Sequence, residues 1–364
     1  MSNTFCRHLS NGYRIFIRDN KISYLPCCYW TGPELEFTNL ANQRAQLNTS
    51  IPWTHAACQK CKNEEVYKKD QGYRQIGNSI IPVMSSSKVG WLDIQADVTC
   101  NGGCLICGPW SSSYWQQQLV KYGEYSVTKN NQDFEKSIQA IFTALDTSEL
   151  RQLQFLGGEP MLSDNDQHAL GYIEHPEICM LKYTTNGSIY PGSARMAQWD
   201  KFKSVLLNFS IDGIGERFNY LRYPLKWNTV ENNIKRLVNE TSDKITFHIN
   251  HTVTPFNVFY YNEFLAWVND TFPQDRFTGI HTHTAYGIMS VGYSTSTLHA
   301  AIKNIYGDNH LLTGMIDSTD KMNTPEFLAW IDKWDQRRNT NWKVTFPDVI
   351  KYFSYDTPEQ NDLE

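Results

Sequence analysis

Positive charge is in short supply in this sequence: 33 Lys and Arg stand against 38 Asp and Glu, a formal net charge of −5. No run of basic residues builds a local patch, so the cationic field that holds nucleic acid is missing and a nucleic-acid partner is disfavoured. Long apolar runs are missing too. No uninterrupted stretch approaches the roughly 18 residues that a membrane span needs. The opening residues Met1-Ser-Asn-Thr lack a charged region leading into an apolar one, so no secretion signal is expected and the reading is of a cytoplasmic protein without a membrane partner. Cysteine is nearly absent from the last two thirds. Eight of the 9 cysteines are Cys6, Cys27, Cys28, Cys58, Cys61, Cys100, Cys104 and Cys107, leaving Cys179 alone in an apolar context that suits a core residue.

What is present is material for a large core. Hydrophobic residues make up 41% and aromatics 13% of 364 residues, which excludes the disordered class and suits about two domains or one large α/β unit with an extension. Residues 1–85 look irregular, with strand-like pieces at 13–17 and 21–25, and Ser85-Ser-Ser-Lys88 reads as a hinge. From 89 onward strands and helices alternate. Strands are predicted over 89–96, 150–157, 180–186, 204–212, 244–253 and 279–288, with helices over 111–123, 133–145, 227–239 and 261–270. Mostly apolar strands alternating with helices indicate a parallel sheet covered by helices. Six of them suit a partial barrel with functional residues at the carboxyl ends of its strands. From 295 the chain reads as a helical C-terminal extension. The pentapeptide Glu-Phe-Leu-Ala-Trp recurs at 263–267 and 326–330 with nothing repeating around it, as in two independent amphipathic helices.

Clustered thiols in a reducing compartment point to metal ligation in preference to disulfides. Cys100-x3-Cys104-x2-Cys107 follows a predicted strand and precedes a helix, and Gly102 and Gly103 let the loop turn tightly. Three thiolates on a [4Fe–4S] cube leave one iron free to bind a small chelating molecule. An alternative donor set is Cys58-x2-Cys61 with Cys104-x2-Cys107, four thiolates suited to a structural zinc in a non-enzymatic interaction module. That set leaves Cys100 and the other N-terminal cysteines unexplained.

The loop is followed, each time after a strand, by Gly157-Gly158-Glu159-Pro160, by Thr185-Asn186-Gly187 and by Ser210-Ile211-Asp212-Gly213. In order and spacing these four motifs resemble the radical S-adenosylmethionine (SAM) superfamily over roughly residues 89 to 290. The pattern departs at Ile106, where the superfamily often has an aromatic residue. The resemblance implies a partial (β/α)6 barrel over 86–294. It also implies a catalytic [4Fe–4S] cluster on Cys100, Cys104 and Cys107, and SAM cleaved to a 5′-deoxyadenosyl radical that abstracts hydrogen from a substrate. Gly157, Gly158, Glu159 and Pro160 would meet the methionine ammonium, Ser210 and Asp212 the ribose hydroxyls, and Arg222 the SAM carboxylate; Asn186 would belong to the same cofactor site. On the fifth strand His248, Asn250 and Thr252 share a face by period two, as do His281 and His283 on the sixth, and Asn250 is the best of these for a SAM contact.

The segment 1–85, with Cys6, Cys27-Cys28 and Cys58-x2-Cys61, resembles the twitch and SPASM auxiliary-cluster modules of that superfamily. Cys6, Cys27, Cys58 and Cys61 are the expected ligands of a second [4Fe–4S] cluster, with Cys28 as the substitute for Cys27. Such a module implies net oxidation of a peptide or protein, with dehydrogenation or epimerisation of a carbohydrate-like small molecule as the alternative. It implies an external electron donor of the flavodoxin or ferredoxin kind as well.

Overall fold

The computed structural model describes residues 6–18, 21–38, 40, 56–68, 72–85, 87–126, 133–291, 295–308, 310–316 and 324–353. Among them nine strands form a mixed α/β sheet in the order β3-β2-β1-β4-β5-β6-β7-β8-β9. They are β1 (Gly12–Arg18), β2 (Lys21–Leu25), β3 (Leu35–Glu36), β4 (Trp91–Gln95), β5 (Gln152–Leu156), β6 (Met180–Thr185), β7 (Ser204–Ser210), β8 (Ile245–Val253) and β9 (Phe277–Thr284). From β4 to β9 sheet order follows chain order, and at least one helix separates each strand from the next, the α/β pattern expected from the sequence. β4, β5 and β6 pair in parallel.

The N-terminal strands are not a separate sheet. β1 pairs in parallel with β4, Gly12 opposite Trp91 through Phe16 opposite Gln95, while β2 and β3 add on as an antiparallel edge. The segment also carries more regular structure than its composition predicts. Helices span Gln59–Lys68 and Tyr73–Ile80. The expected hinge is tied down: Asn11 Nδ2 donates to the carbonyls of Ser85 at 2.8 Å and Lys88 at 2.9 Å. Ser86 itself lies outside the described residues, as do 41–55 of the expected module and 317–323 and 354–364 of the expected extension.

The chain divides into two compact units. The first holds 1–101, 109–208 and 240–247; the second holds 102–108, 209–239 and 248–364. In the first unit β4, β5 and β6 bury Ile94, Leu153, Phe155, Leu181 and Tyr183. Cys179, expected in the core, is fully buried. Behind β6 a closed ion pair holds the helix Ser193–Trp199: Arg195 Nε meets Asp166 Oδ2 at 2.9 Å, and Tyr183 donates its hydroxyl to the same oxygen at 2.8 Å.

The core of the second unit is aromatic. Phe256 stacks on Phe346 at 5.1 Å between ring centroids, with Phe327 at 5.6 Å and Trp342 at 5.4 Å. Both copies of the repeated pentapeptide lie on helices, Tyr261–Thr271 and Thr324–Arg338, and each buries its phenylalanine, Phe264 and Phe327. Two cross-strand contacts, His248 to Thr278 and Thr252 to His283, advance in the same direction along β8 and β9, as in a parallel pair.

Candidate active site

In the first unit, the loop after β4 and the loop after β5 touch through backbone alone. Glu159 N–H donates to the Thr99 carbonyl at 2.7 Å. Gly158 sits so close that a Cβ there would lie 2.1 Å from Thr99 O, and Gly157 adopts φ +140°, a conformation that disfavours any side chain. Two glycines at this point are therefore a packing requirement. Cys100, half-buried, is set by its own neighbour: its N–H donates to Ser113 Oγ at 3.1 Å, at the start of the helix Ser113–Lys121. Asn101, which the sequence gave no reason to single out, accepts from Asn186 Nδ2 at 2.9 Å and donates to Ser188 Oγ at 2.9 Å. The loop after β4 is thus stitched to the loop after β6.

Glu159 is buried, with 2% of its surface exposed, and its carboxylate is employed inside the chain. Oε1 accepts from Thr185 Oγ1 at 2.8 Å and Met161 N at 3.2 Å, and Oε2 accepts from Asn186 N at 2.7 Å. Burial pushes its pKa up, against the pull of those donors. Its visible work is to lock the end of β5 to the end of β6. Pro160 opens a single 3-10 turn that Glu159 caps. Asn186 is likewise committed: its Oδ1 accepts from Ser188 N at 2.9 Å.

In the second unit, residues 102–108 are pinned by backbone bonds from Gly103 N to Tyr223 O at 2.6 Å and from Leu105 N to Leu221 O at 2.9 Å. This brings Arg222 Nη1 to 4.0 Å from Cys104 Sγ. The same guanidinium pairs through Nη2 with Asp212 Oδ2 at 2.7 Å, both side chains deeply buried. Asp212 Oδ1 accepts from Thr252 N at 2.8 Å, and the Asp212 carbonyl accepts from Asn257 Nδ2 at 2.7 Å. Arg222 and Asp212, expected at the SAM carboxylate and the ribose, are also each other's counter-ion. Burial raises the Cys104 thiol and Arg222 lowers it; burial pushes Cys107 up to about 11. Thiols held this high release protons on taking a metal, and a buried guanidinium beside them favours the thiolate form.

Ser210 and Asn250, both half-buried, lie on neighbouring strands β7 and β8, and the Asn250 carbonyl accepts from Ile211 N at 3.0 Å. His281 and His283 have ring centroids 5.3 Å apart, and His283 Nε2 meets Thr252 Oγ1 at 3.1 Å. His251, which the sequence reading passed over, points the other way. It is buried against Phe264 at 4.2 Å and bonds the Ile211 carbonyl at 2.9 Å, and burial pushes its pKa down to about 4.

The N-terminal cysteines of the first unit divide into two sets. Cys6, Cys27, Cys58 and Cys61 line one pocket with Leu9 and Arg74. Cys58 and Cys61, three apart at the start of a helix, fall on one side of it. Burial raises Cys27 well above the usual thiol range and Cys58 to about 11. Cys28 is not in that pocket. Its thiol takes a hydrogen bond from Tyr73 and lies within the field of Asp93 on β4. Among the described residues no three His, Cys, Asp or Glu side chains converge as they would around a single ion. Ligands of a cubane bind different irons and stand farther apart than ligands of one zinc.

No protein-family model matches the chain, and no curated protein matches it. Among solved structures it is similar to native anSMEcpe with bound AdoMet, at 15% identity over 61% of this chain and 62% of that one, TM-score 0.41. It is similar to Streptococcus suis SuiB bound to S-adenosylmethionine at 11% identity over 87% and 57%, TM-score 0.38. It is also similar to TYW1 with a lysine-pyruvate adduct, at 13% over 58% and 70%, TM-score 0.31. The first two hold SAM. The chain spans 62% of the first of these structures. No helix among the described residues is long and apolar enough to cross a membrane.

Proposed function

We propose that the protein is a radical SAM enzyme, with a catalytic [4Fe–4S] cluster on Cys100, Cys104 and Cys107. The observation that carries this reading is positional. The three-cysteine loop, Gly157-Gly158-Glu159-Pro160, Asn186-Gly187 and Asp212-Gly213 lie in the loops after the carboxyl ends of β4, β5, β6 and β7, where α/β folds keep their chemistry. The donor set fits the cluster: thiols on a glycine-rich loop, with the Arg222 guanidinium beside Cys104 to offset thiolate charge. When bound, cluster and SAM supply the one-electron cleavage that yields the 5′-deoxyadenosyl radical. The chain's own part is to hold and orient. Gly157 and Gly158 bring backbone close, Glu159 fixes the rim between β5 and β6, and Arg222 with Asp212 sets the charge beneath the loop. Ser210, Asn186 and Asn250 offer polar groups for the nucleoside.

Cys6, Cys27, Cys58 and Cys61 are the proposed ligands of an auxiliary [4Fe–4S] cluster. Cys27 is preferred over Cys28 because its side chain lines the shared pocket. An auxiliary cluster that accepts an electron makes net oxidation of a peptide or protein the preferred reaction, with reducing electrons from a flavodoxin- or ferredoxin-type donor. Iron and sulfide content after anaerobic reconstitution tests both clusters. About eight irons per chain are expected, falling to about four in a Cys100/Cys104/Cys107→Ala variant and to about four in a Cys6/Cys27/Cys58/Cys61→Ala variant. Zinc without labile sulfide would overturn the enzyme reading.

A further inference from the structure

At the end of the helix Thr324–Arg338 the chain turns back. Asn339 adopts φ +53°, and Asp335 then gathers the returning segment. Its carboxylate accepts from Thr340 Oγ1 at 2.6 Å and Trp342 N at 2.7 Å, and its carbonyl accepts from Thr340 N at 3.0 Å. This fixed wall stands beside the helix Gly215–Leu221 and the turn after it. Between them, inside the second unit, lies a cleft of about 710 Å³, lined by Asn219, Tyr223 and Lys226 from one side and by Arg338 and Asn341 from the other. That volume is in the range of sites that hold small ligands. The Tyr223 carbonyl accepts from Gly103 N at 2.6 Å, so the wall of the cleft continues into the cysteine loop.

The cleft is rich in donors, and the hydrogen bonds around it say why. A backbone N–H can only donate, so an asparagine oxygen must face it and the amide nitrogen must face away. Asn219 Oδ1 accepts from Trp227 N at 2.6 Å, and Asn341 Oδ1 accepts from Lys343 N at 3.0 Å. Both side chains thus spend their acceptor on the fold. Among the described residues neither Nδ2 nor the exposed Lys226 ammonium meets an acceptor. Arg338 adds a charge held in place: it is 6% exposed, with its guanidinium 4.8 Å from the Trp334 ring and 5.0 Å from the Tyr223 ring. Two cations and two amide donors therefore face one acid, the exposed Glu216. A compact polyanion would press its whole charge against Glu216. A peptide with acidic side chains spreads its charge and brings an N–H for that carboxylate to accept.

We propose that this cleft binds a peptide segment bearing acidic side chains. Arg338 and Lys226 would take its carboxylates, the Asn219 and Asn341 amides its carbonyls, and Glu216 an N–H. Calling that peptide the substrate rests on the radical SAM reading; the site itself does not. The probe is acetyl-Glu-Ala-Glu-amide, against acetyl-Gln-Ala-Gln-amide, which keeps the shape without the charge. Titrated into the full chain by isothermal calorimetry, the acidic peptide is expected to bind saturably with Kd below about 1 mM, and the neutral one at least about tenfold more weakly. Lys226→Glu and Arg338→Met should each weaken the acidic peptide about tenfold or more. Lys351→Met, which removes an ammonium lying over Tyr352 and outside the cleft, should leave it unchanged. A thermal midpoint identifies any variant that has lost its fold, and Lys226→Glu, at an exposed position, decides the matter if Arg338→Met has done so. No saturable binding to wild type, equal binding to Lys226→Glu, or tighter binding of inorganic phosphate than of the peptide would overturn the proposal. Peptide binding by a chain that takes up no iron–sulfur cluster would leave this site standing and sink the radical SAM reading; clusters without peptide binding would do the reverse.

Discussion

Asp212→Ala is expected to cost about 3–5 kcal/mol of stability, because it leaves the Arg222 guanidinium buried with its counter-ion removed. The damage has a second component. Thr252 N, on β8, loses its acceptor at Asp212 Oδ1. Arg222 also lies 4.0 Å from Cys104, so its displacement should disturb the cysteine loop. Urea unfolding of the apoprotein would give the stability change, and iron retention after gel filtration would give the effect on the proposed cluster. The double variant Asp212→Ala/Arg222→Met, which removes both charges, should recover much of the stability. If the single and double variants unfold at the same urea concentration, the pair is not the counter-ion arrangement described here.

Gly158→Ala should be nearly as severe for a different reason. The added Cβ would stand 2.1 Å from Thr99 O, a contact with backbone, so the loop after β4 or the loop after β5 must move. Thr99 immediately precedes Cys100, so the expected result is a folded α/β protein with intact far-ultraviolet circular dichroism but at least about half of its reconstituted iron lost. Gly192→Ala provides the contrast, since a Cβ there meets nothing within 4 Å. Full iron content in Gly158→Ala would mean that the two loops are not in backbone contact in the assembled protein.

The strands of this fold were largely readable, because β-branched and aromatic runs between turn residues have few alternatives. The segments 89–96, 150–157, 180–186, 204–212 and 244–253 match β4 to β8 closely. The pairing of β1 with β4 was not readable. Parallel pairing is non-local, and nothing in Gly12-Tyr-Arg-Ile-Phe says which strand it will join. At the site, spacing and glycines disclosed the motifs, but not how their polar groups are spent. Glu159 and Asn186 look available in a sequence and are bonded to each other's loops in space. Arg338 and Lys226 were invisible for the opposite reason. Cations so far apart in the chain read as separate solvated residues until the fold lines one cleft with both.

The position of β1 has a practical consequence for anyone dividing the protein. Trimming residues 1–85 to obtain the α/β portion would strip a whole strand from β4, all five of whose residues are buried. Its backbone N–H and C=O groups would become an exposed edge, a template for pairing with other chains. Such a truncation is expected to express as aggregates, and solubility of the 86–364 fragment against the full chain would check it. The cysteine-lined pocket and the edge protection therefore occupy the same stretch of sequence. The strands between Cys6 and Cys58 pair without using any of those thiols, so losing the thiols need not cost the strands.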